Sequence, residues 1–144
     1  MKIGILRLSN TARLPLRMTE HASGFDIFAD IPETIIVEPG KYLAIPTGFA
    51  LEIPPGFEAQ IRPRSGLALK QGIGILNSPG TIDADYRGEI KAIIINLNKE
   101  QVSIEPGTRI AQMVFCPVVI PDLQEMDSLN SSSRQDGGFG HTGH

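Results

Sequence analysis

The sequence predicts an all-β domain, built as a sandwich or barrel of short strands. Its apolar runs are short, rich in isoleucine and valine, and separated by turn residues, which is a pattern typical of strands. The 144 residues include 15 glycines and 11 prolines, and this leaves little room for long helices. The runs follow one another at short intervals, which favours an all-β fold over alternating strand–helix–strand units.

Eight segments are predicted to be strands because β-branched and aromatic side chains are enriched in them. In chain order they are 2–8, 34–38, 42–52, 57–62, 73–77, 89–97, 102–104 and 109–119. In the last of these we expect Gln112 to point away from Ile110. One short helix is predicted over 65–71, where helix formers follow a serine that can cap the first turn.

Four Pro-Gly pairs punctuate the strands, with their prolines at positions 39, 55, 79 and 106. Proline fixes φ at the first central position of a turn, and glycine accepts the positive φ that a type II turn requires at the second position. All four pairs therefore predict type II turns.

The end of the chain differs from the rest in composition. After Pro121 the sequence becomes polar, and its last residues are rich in serine and glycine. This pattern predicts a single β-domain over 1–130 and a flexible, glycine-rich C-terminal arm over 131–144. A lone Phe139 between two glycines, with Arg134 upstream, is an unusual combination for a simple linker.

Composition and charge exclude several classes of protein. The net charge of -3 lacks the basic footprint of non-specific nucleic-acid binding, so any phosphate would be recognised by a few placed cations. No apolar run has the length of a membrane span, and the N-terminus lacks the apolar stretch of a signal peptide. The single Cys116 has no partner for a disulfide. We therefore expect a soluble, cytoplasmic protein that binds neither nucleic acid nor membrane.

The segment from Gly80 to Glu89 is the most informative for function. It places two aspartates, a tyrosine and an arginine between the strand-like runs 74–77 and 90–95. A hairpin of this kind can hold a flat ligand by backbone hydrogen bonds while Tyr86 covers its sugar or ring. The alternative is a polar turn with a half-buried tyrosine.

Three further positions suggest phosphate chemistry, each with a structural alternative. The run from Arg64 to Gly66 can present a guanidinium, a hydroxyl and backbone N–H groups to an anion, or it is a capped surface turn. Gln112 can bond a phosphate oxygen or pair with a neighbouring strand. Asp26 can orient waters on a Mg²⁺ already held by phosphates, or accept backbone N–H bonds at a turn. The three histidines and one cysteine show no metal-binding spacing.

Taken together, five segments resemble the trimeric dUTP pyrophosphatase (dUTPase) family in their order and spacing. They are 22–26, 63–68, 77 with 80–89, 107–112, and 134 with 137–143. The resemblance spans about residues 20–143. Gln135 stands where glycine is common in the family and His141 where serine is common, and neither change removes a group that the chemistry needs.

The resemblance implies a jelly-roll-like subunit that forms a homotrimer with three sites at subunit interfaces. One subunit would supply the hairpin around Asp83, and a neighbouring subunit would supply the run from Arg64 to Gly66 together with Gln112. The third subunit would supply the arm that closes over the site. The implied reaction is hydrolysis of dUTP to dUMP and pyrophosphate, in which water activated by Asp83 attacks the α-phosphorus with the help of Mg²⁺. It would limit uracil in DNA and supply dUMP for thymidylate synthesis.

The resemblance also implies roles for individual residues. Uracil would be read through backbone groups near Thr81, Ile82 and Lys91, Tyr86 would pack on the deoxyribose, and Phe139 would stack on the base. Asp26 would act through water on a Mg²⁺ held mainly by the triphosphate. The substrate-binding residues implied are Arg64, Ser65, Gly66, Asn77, Gly80, Thr81, Ile82, Tyr86, Lys91, Gln112, Arg134, Phe139, Gly140, His141 and Thr142.

Two rival functions fit the same scaffold. One is a dCTP deaminase or its bifunctional relative, and the other is a non-catalytic regulatory β module. The Arg-Ser-Gly-Leu-Ala motif and the glycine-rich arm favour a dUTPase, and the absence of tryptophan removes the signature of the deaminases. Intact Asp83, Arg64 and Arg134 argue against loss of activity but leave a second, regulatory role open.

Overall fold

The computed structural model of the protein describes residues 1–137. Within this range the chain forms ten strands and one short helix, so the predicted all-β class is confirmed. The elements are β1 (Gly4–Arg7), β2 (Phe25–Phe28), β3 (Ile35–Val37), β4 (Tyr42–Glu52), β5 (Phe57–Arg62), α1 (Ser65–Gln71), β6 (Ile73–Ile75), β7 (Gly80–Ile82), β8 (Glu89–Asn96), β9 (Val102–Ile104) and β10 (Arg109–Pro117).

The strands form two four-stranded sheets and a two-stranded ribbon, all paired antiparallel. The first sheet has the order β1-β4-β8-β6, the second β2-β10-β5-β7, and the ribbon joins β3 to β9. Residues of both sheets belong to one buried cluster, to which β8 contributes Ile90, Ala92 and Ile94 at every second position. The result is the expected jelly-roll-like sandwich, with its core between the two sheets.

Two strands, β2 and β7, are absent from the sequence prediction. β2 is only four residues long and carries Asp26 within it, so it lacks a continuous apolar run. β7 is three residues long and begins at the glycine of a Pro-Gly pair, a pattern that predicts a turn. Both strands sit at the edges of the second sheet, where pairing to a single neighbour holds them.

The turn prediction was right for three Pro-Gly pairs and wrong for the fourth. Gly40, Gly56 and Gly107 have φ values of 72°, 85° and 74°, as type II turns require. Gly80 lies outside the positive-φ region and is instead the buried first residue of β7, opposite Ile61 of β5. The strands that flank the segment, β6 and β8, pair antiparallel in the first sheet, as the predicted hairpin requires. The connection between them is not a simple turn, because β7 lies within it and pairs with β5 in the second sheet.

The helix is confirmed, but its predicted cap is wrong. Arg64 occupies the N-cap position without a side-chain capping bond, and Ser65 is the first helical residue. The helix ends at Gly72, which adopts the left-handed conformation and donates its N–H to the carbonyls of the last turn. Within residues 1–137, no helix is long and apolar enough to cross a membrane.

A β-bulge in β10 decides the direction of Gln112. The pairing of β10 with β2 shifts register between Arg109 and Ala111, so Ile110 and Ala111 are both buried while Gln112 is half-buried. Strict alternation would have placed Gln112 on the same face as Ile110. The expected separation of the two side chains is therefore present, but the bulge produces it.

Candidate active site

A cleft of about 340 Å³ lies where the chain crosses from the second sheet to the first. The loop 83–88 makes this crossing between β7 and β8. Six of the predicted site residues line the cleft, so segments distant in sequence converge there. The lining residues are Ala44, Asn77, Thr81, Ile82, Asp83, Tyr86, Glu89, Lys91 and Ile93.

Asp83 occupies the first position of the crossing loop. Its backbone carbonyl accepts the N–H of Tyr86 at 3.2 Å, which closes a tight turn. The Asp83 side chain is exposed, and its carboxylate makes no hydrogen bond with residues 1–137. A carboxylate in this condition has its lone pairs available to orient a water and accept its proton.

The floor of the cleft is formed at β7, the edge strand of its sheet. On one side β7 pairs with β5, with Thr81 opposite Gln60, and its other side has no strand partner among the described residues. Unpaired backbone groups of an edge strand can bond a flat ligand as they would bond another strand. A Cβ at Gly80 would lie 3.1 Å from the Asn77 amide nitrogen, so glycine allows Asn77 to approach the start of β7.

Tyr86 stands at the side of the cleft with 45% of its surface exposed. Its hydroxyl donates to the backbone carbonyl of Glu89 at 3.1 Å. The next residue, Arg87, turns its guanidinium back onto the loop and donates to the carbonyls of Ala84 at 2.7 Å and Tyr86 at 3.0 Å. These bonds give the loop a defined shape.

A second group of charged residues lies near the opposite edge of the second sheet. We call Asp26, Arg64 and Arg109 the arginine cluster. The Arg64 Nε donates to Asp26 Oδ1 at 3.1 Å, and the Arg109 Nη1 donates to Asp26 Oδ2 at 3.2 Å. Arg64 also donates from Nη1 to the Arg109 carbonyl at 3.0 Å. Because one carboxylate serves two guanidinium groups, one positive charge is left over, and this favours a nearby anion.

Gln112 lies beside the arginine cluster in β10, paired with Asp26 of β2. Its Nε2 donates to the carbonyl of Pro63 at 2.9 Å, just before α1. A Cβ at Gly24 would lie 2.5 Å from the Gln112 Oε1, so the glycine provides the space for this amide. Ser65 and Gly66 are exposed in the first turn of the helix.

The two groups of predicted site residues do not meet within the part of the chain that the structure describes. The cleft is at β7 and the arginine cluster is at β2 and β10, and β5 and β10 separate the two edges. None of the cluster residues lines the cleft. Arg134 is exposed and donates from Nε to the carbonyl of Gly137 at 2.7 Å. Phe139, Gly140, His141 and Thr142 lie outside the described residues.

The structure adds site residues that sequence reasoning missed. Arg109 completes the arginine cluster, and Glu89, Ala44 and Ile93 line the cleft. A charged residue at the first position of a strand was the available signal for Arg109 and Glu89. Ala44 and Ile93 carried no signal, because nothing local distinguishes them from other strand residues.

The donor set does not form a metal cage. No three histidine, cysteine, aspartate or glutamate side chains come together within residues 1–137. Asp26 has both oxygens engaged by arginine, but a carboxylate has about four lone-pair positions. Asp26 can therefore accept hydrogen bonds from metal-bound waters while it remains paired.

Sequence comparisons identify similar proteins over nearly the whole chain. The dUTPase family profile matches residues 10–143. The chain is 58% identical over 130 residues to the deoxyuridine 5'-triphosphate nucleotidohydrolase of a Thermoanaerobacter species, which covers 90% of this chain and 88% of the relative. It is 52% identical over 143 residues to the protein of the same name from a Hydrogenobaculum species, with 99% of both chains covered.

Solved structures of phage proteins have the same fold. The dUTPase of Staphylococcus bacteriophage 80alpha, in complex with dUPNHPP, matches with a TM-score of 0.85 and 30% identity, covering 99% of both chains. A variant dUTPase from phage phi11 of S. aureus, whose structure concerns the coordination of a structural Mg(II) ion, matches with a TM-score of 0.82 and 27% identity. It covers 91% of this chain and 100% of the phage chain.

Proposed function

The chain belongs to the dUTPase family, whose members are nucleotide hydrolases acting on dUTP, and we propose that the Asp83 cleft is where it converts dUTP to dUMP and pyrophosphate. The observation that carries this proposal is the exposed carboxylate of Asp83, which has no hydrogen-bond partner among residues 1–137 and lies in a cleft beside an edge strand and a tyrosine. Asp83 orients a water for in-line attack on the α-phosphorus and accepts its proton, and pyrophosphate leaves with the electron pair of the broken P–O bond.

The cleft recognises the nucleoside by shape and backbone bonding. Backbone groups around Thr81, Ile82 and Lys91, together with Asn77, bond the edge of uracil, and the narrow cleft has no room for the methyl group of thymine. Tyr86 packs against the deoxyribose, so a 2′-hydroxyl either clashes with the ring or stays without a partner. This arrangement selects dUTP over dTTP and UTP.

The arginine cluster supplies the charge for the triphosphate. Arg64, with Ser65, Gly66 and Gln112 beside it, faces the phosphates, and Arg134 of the arm adds a further cation. Asp26 would contact the waters of a Mg²⁺ bound to the triphosphate, and that ion would neutralise part of the triphosphate charge. Phe139 stacks on the base, while Gly140, His141 and Thr142 close against the phosphates.

Assembly as a homotrimer brings the two groups together. The cleft and the arginine cluster lie toward opposite edges of one sheet, so a triphosphate bound in the cleft of one subunit can meet the cluster of a neighbour. The segment that follows β10 supports assembly, since it exposes Val119, Ile120, Leu123 and Leu129 at 88%, 83%, 93% and 87%. Apolar side chains exposed to this extent gain stability from burial against another subunit.

One assay separates the proposed function from its rivals. The protein is incubated with dUTP, dCTP, dTTP or UTP in the presence of Mg²⁺, and both pyrophosphate and ammonia are measured. We expect pyrophosphate from dUTP alone and no ammonia. Ammonia from dCTP would establish the deaminase, and the absence of any product would favour the regulatory module.

A second measurement tests the assembly. Light scattering at the assay concentration should give three times the subunit mass of 15.6 kDa. An active, monodisperse monomer would contradict the shared site. The cytoplasmic location remains a prediction, and cell fractionation followed by immunodetection tests it.

A further inference from the structure

The position of the Tyr86 ring depends on two residues, Gly88 at the end of the crossing loop and Glu89 at the start of β8. The ring folds back over Gly88, so a Cβ at position 88 would overlap the tyrosine hydroxyl and lie 2.6 Å from Cζ and 3.0 Å from Cε2. A Cβ essentially never comes this close to ring atoms, so only glycine at position 88 leaves the ring where it is. The absence of a side chain here is therefore part of how Tyr86 is placed.

The second residue, Glu89, holds the hydroxyl of the same ring. Its backbone carbonyl accepts the Tyr86 hydroxyl at 3.1 Å, so the position of this carbonyl sets where the ring ends. The Glu89 carboxylate in turn accepts the backbone N–H of Gly48 at 2.9 Å. A more distant contact of 3.8 Å joins the same carboxylate to the ammonium group of Lys91.

Gly48 belongs to the irregular part of β4, where the pairing with β8 shifts between Pro46 and Ala50. It has a positive φ of 71°, and the shift removes the regular ladder bonds at this point. Two side chains replace those bonds, because Glu89 accepts from Gly48 and the buried Thr47 hydroxyl donates to the Ile90 carbonyl at 2.6 Å. The start of β8 is thus tied to β4 next to the cleft.

We propose that Gly88 and Glu89 are positioning residues that hold the Tyr86 ring at the sugar end of the cleft. Gly88 provides the space into which the ring folds, and Glu89 fixes the carbonyl that bonds its hydroxyl. We call Gly88 and Glu89 the tyrosine seat. The inference rests on the proposed role of Tyr86 against the deoxyribose and deepens it. A ring held in one place excludes a 2′-hydroxyl, whereas a ring free to swing outward admits it.

The variant that tests the seat is Gly88→Ala. The clash falls on the far end of a side chain that is 45% exposed, so the ring can turn outward and the protein can keep its fold. We expect the ratio of kcat/KM for dUTP to that for UTP to fall roughly tenfold or more. For dUTP itself, KM should rise while kcat changes little, because Asp83 lies at the other end of the loop.

A matched glycine serves as the control. At Gly74 in β6 a Cβ would make only ordinary contacts, at 3.6 Å with Ile95 and 3.8 Å with Leu97. Gly74→Ala should leave the ratio for dUTP over UTP unchanged. For the second seat residue, Glu89→Gln keeps an oxygen that can accept from Gly48 and should stay near the wild-type ratio, whereas Glu89→Ala should lower it.

A double-mutant cycle separates the seat from the proposed role of the tyrosine itself. If the seat acts through the ring, Gly88→Ala should have no further effect on the ratio once Tyr86→Ala has removed the ring. Additive losses would overturn the proposal. If Tyr86→Ala keeps full discrimination against UTP, the proposed role of Tyr86 fails, and the seat's part in sugar selection fails with it.

Tyrosine fluorescence gives a readout that does not depend on activity. The chain has two tyrosines and no tryptophan, so Tyr86 is the only reporter in a Tyr42→Phe background. Iodide should quench its fluorescence more strongly after Gly88→Ala than after Gly74→Ala, with thermal unfolding confirming that both variants are folded. Equal quenching in the two variants would show that the ring does not move and would overturn the proposal.

Discussion

The Asp83 cleft and the arginine cluster each present a carboxylate, but the two are held in opposite ways. Asp83 lies exposed in a loop, and its carboxylate accepts no hydrogen bond from residues 1–137. The Asp26 side chain is 12% exposed, and each of its oxygens accepts from an arginine. An unpartnered carboxylate remains available to a water, whereas a doubly paired one holds two cations in place. With the proposed role of Asp83, the comparison teaches that proton transfer and charge placement fall to different regions of this chain.

The largest effect is expected at Asp83. Asp83→Asn keeps the shape of the side chain but removes its ability to accept a proton, so kcat for dUTP should fall roughly 10²- to 10⁴-fold while the nucleotide still binds. Steady-state kinetics and calorimetry with a non-hydrolysable dUTP analogue measure the two quantities. Asp85→Asn, a neighbouring exposed carboxylate that lies outside the cleft, is the control. Turnover of Asp83→Asn within about threefold of wild type would remove Asp83 as the base.

The next largest loss of activity is expected from changes to the C-terminal arm, residues 131–144. The described part of the arm belongs neither to the Asp83 cleft nor to the arginine cluster. Deleting residues 131–144 should leave the protein folded, because the described part of this segment is almost entirely exposed. Hydrolysis should nevertheless fall roughly 100-fold, since a missing lid costs positioning and water exclusion. Phe139→Ala and Arg134→Ala should each show part of the loss.

Hydrogen exchange tests whether the arm closes, independently of the rate of dUTP hydrolysis. Amides of residues 131–144 should become protected when Mg²⁺ and a non-hydrolysable dUTP analogue are added to the full-length protein. Wild-type activity in the truncated protein would make the segment a linker and nothing more.

Substitutions of the two aspartates should affect stability in the opposite order to their effects on activity. Asp26→Ala leaves two guanidinium groups without their shared acceptor, so the free energy of unfolding should fall by about 1–3 kcal/mol. Asp83→Ala removes no hydrogen bond recorded within residues 1–137 and should change stability by about 0.5 kcal/mol or less. Chemical denaturation of both variants measures the difference. Equal losses of stability would mean that the different hydrogen bonding of the two carboxylates does not alter the free energy of unfolding.

The smallest effect is expected beside the arginine cluster. In Gly24→Ala the new methyl group would lie 2.5 Å from the Gln112 Oε1 and should displace the amide from the Pro63 carbonyl. Loss of this one hydrogen bond should lower the unfolding free energy by about 1 kcal/mol and raise KM for dUTP. Gly74→Ala, with ordinary contacts only, is the matched control, and identical behaviour of the two variants would contradict the role given to Gly24.

Much of the fold could be predicted because its signals are local. The isoleucine-rich run that forms β8 carries its alternation in neighbouring side chains, and the helix α1 is evident from its helix formers. Gly40, Gly56 and Gly107 follow prolines and take the backbone angles that such pairs favour. The family also followed from the sequence, because five motifs in a fixed order carry far more information than any one of them.

Other features depended on partners that are distant in the chain. β7 is a strand because β5 pairs with it, although its own Pro-Gly start predicts a turn. Gln112 points away from Ile110 because a bulge interrupts β10, and a bulge leaves no clear mark in composition. Ser65 was wrongly expected to cap the helix, since Arg64 occupies the N-cap position and the helix begins at Ser65 itself.

The sequence by itself determined the all-β class, the family and the types of residue available for the chemistry. Only the tertiary structure decided where those residues stand. It paired Arg109 with Asp26 across 83 positions of the chain, and it placed Asp83 at one edge of the sheet and the arginine cluster toward the other. The physical reason is that turn and strand preferences act between neighbours in sequence, whereas an ion pair or a cleft depends on which strands lie side by side.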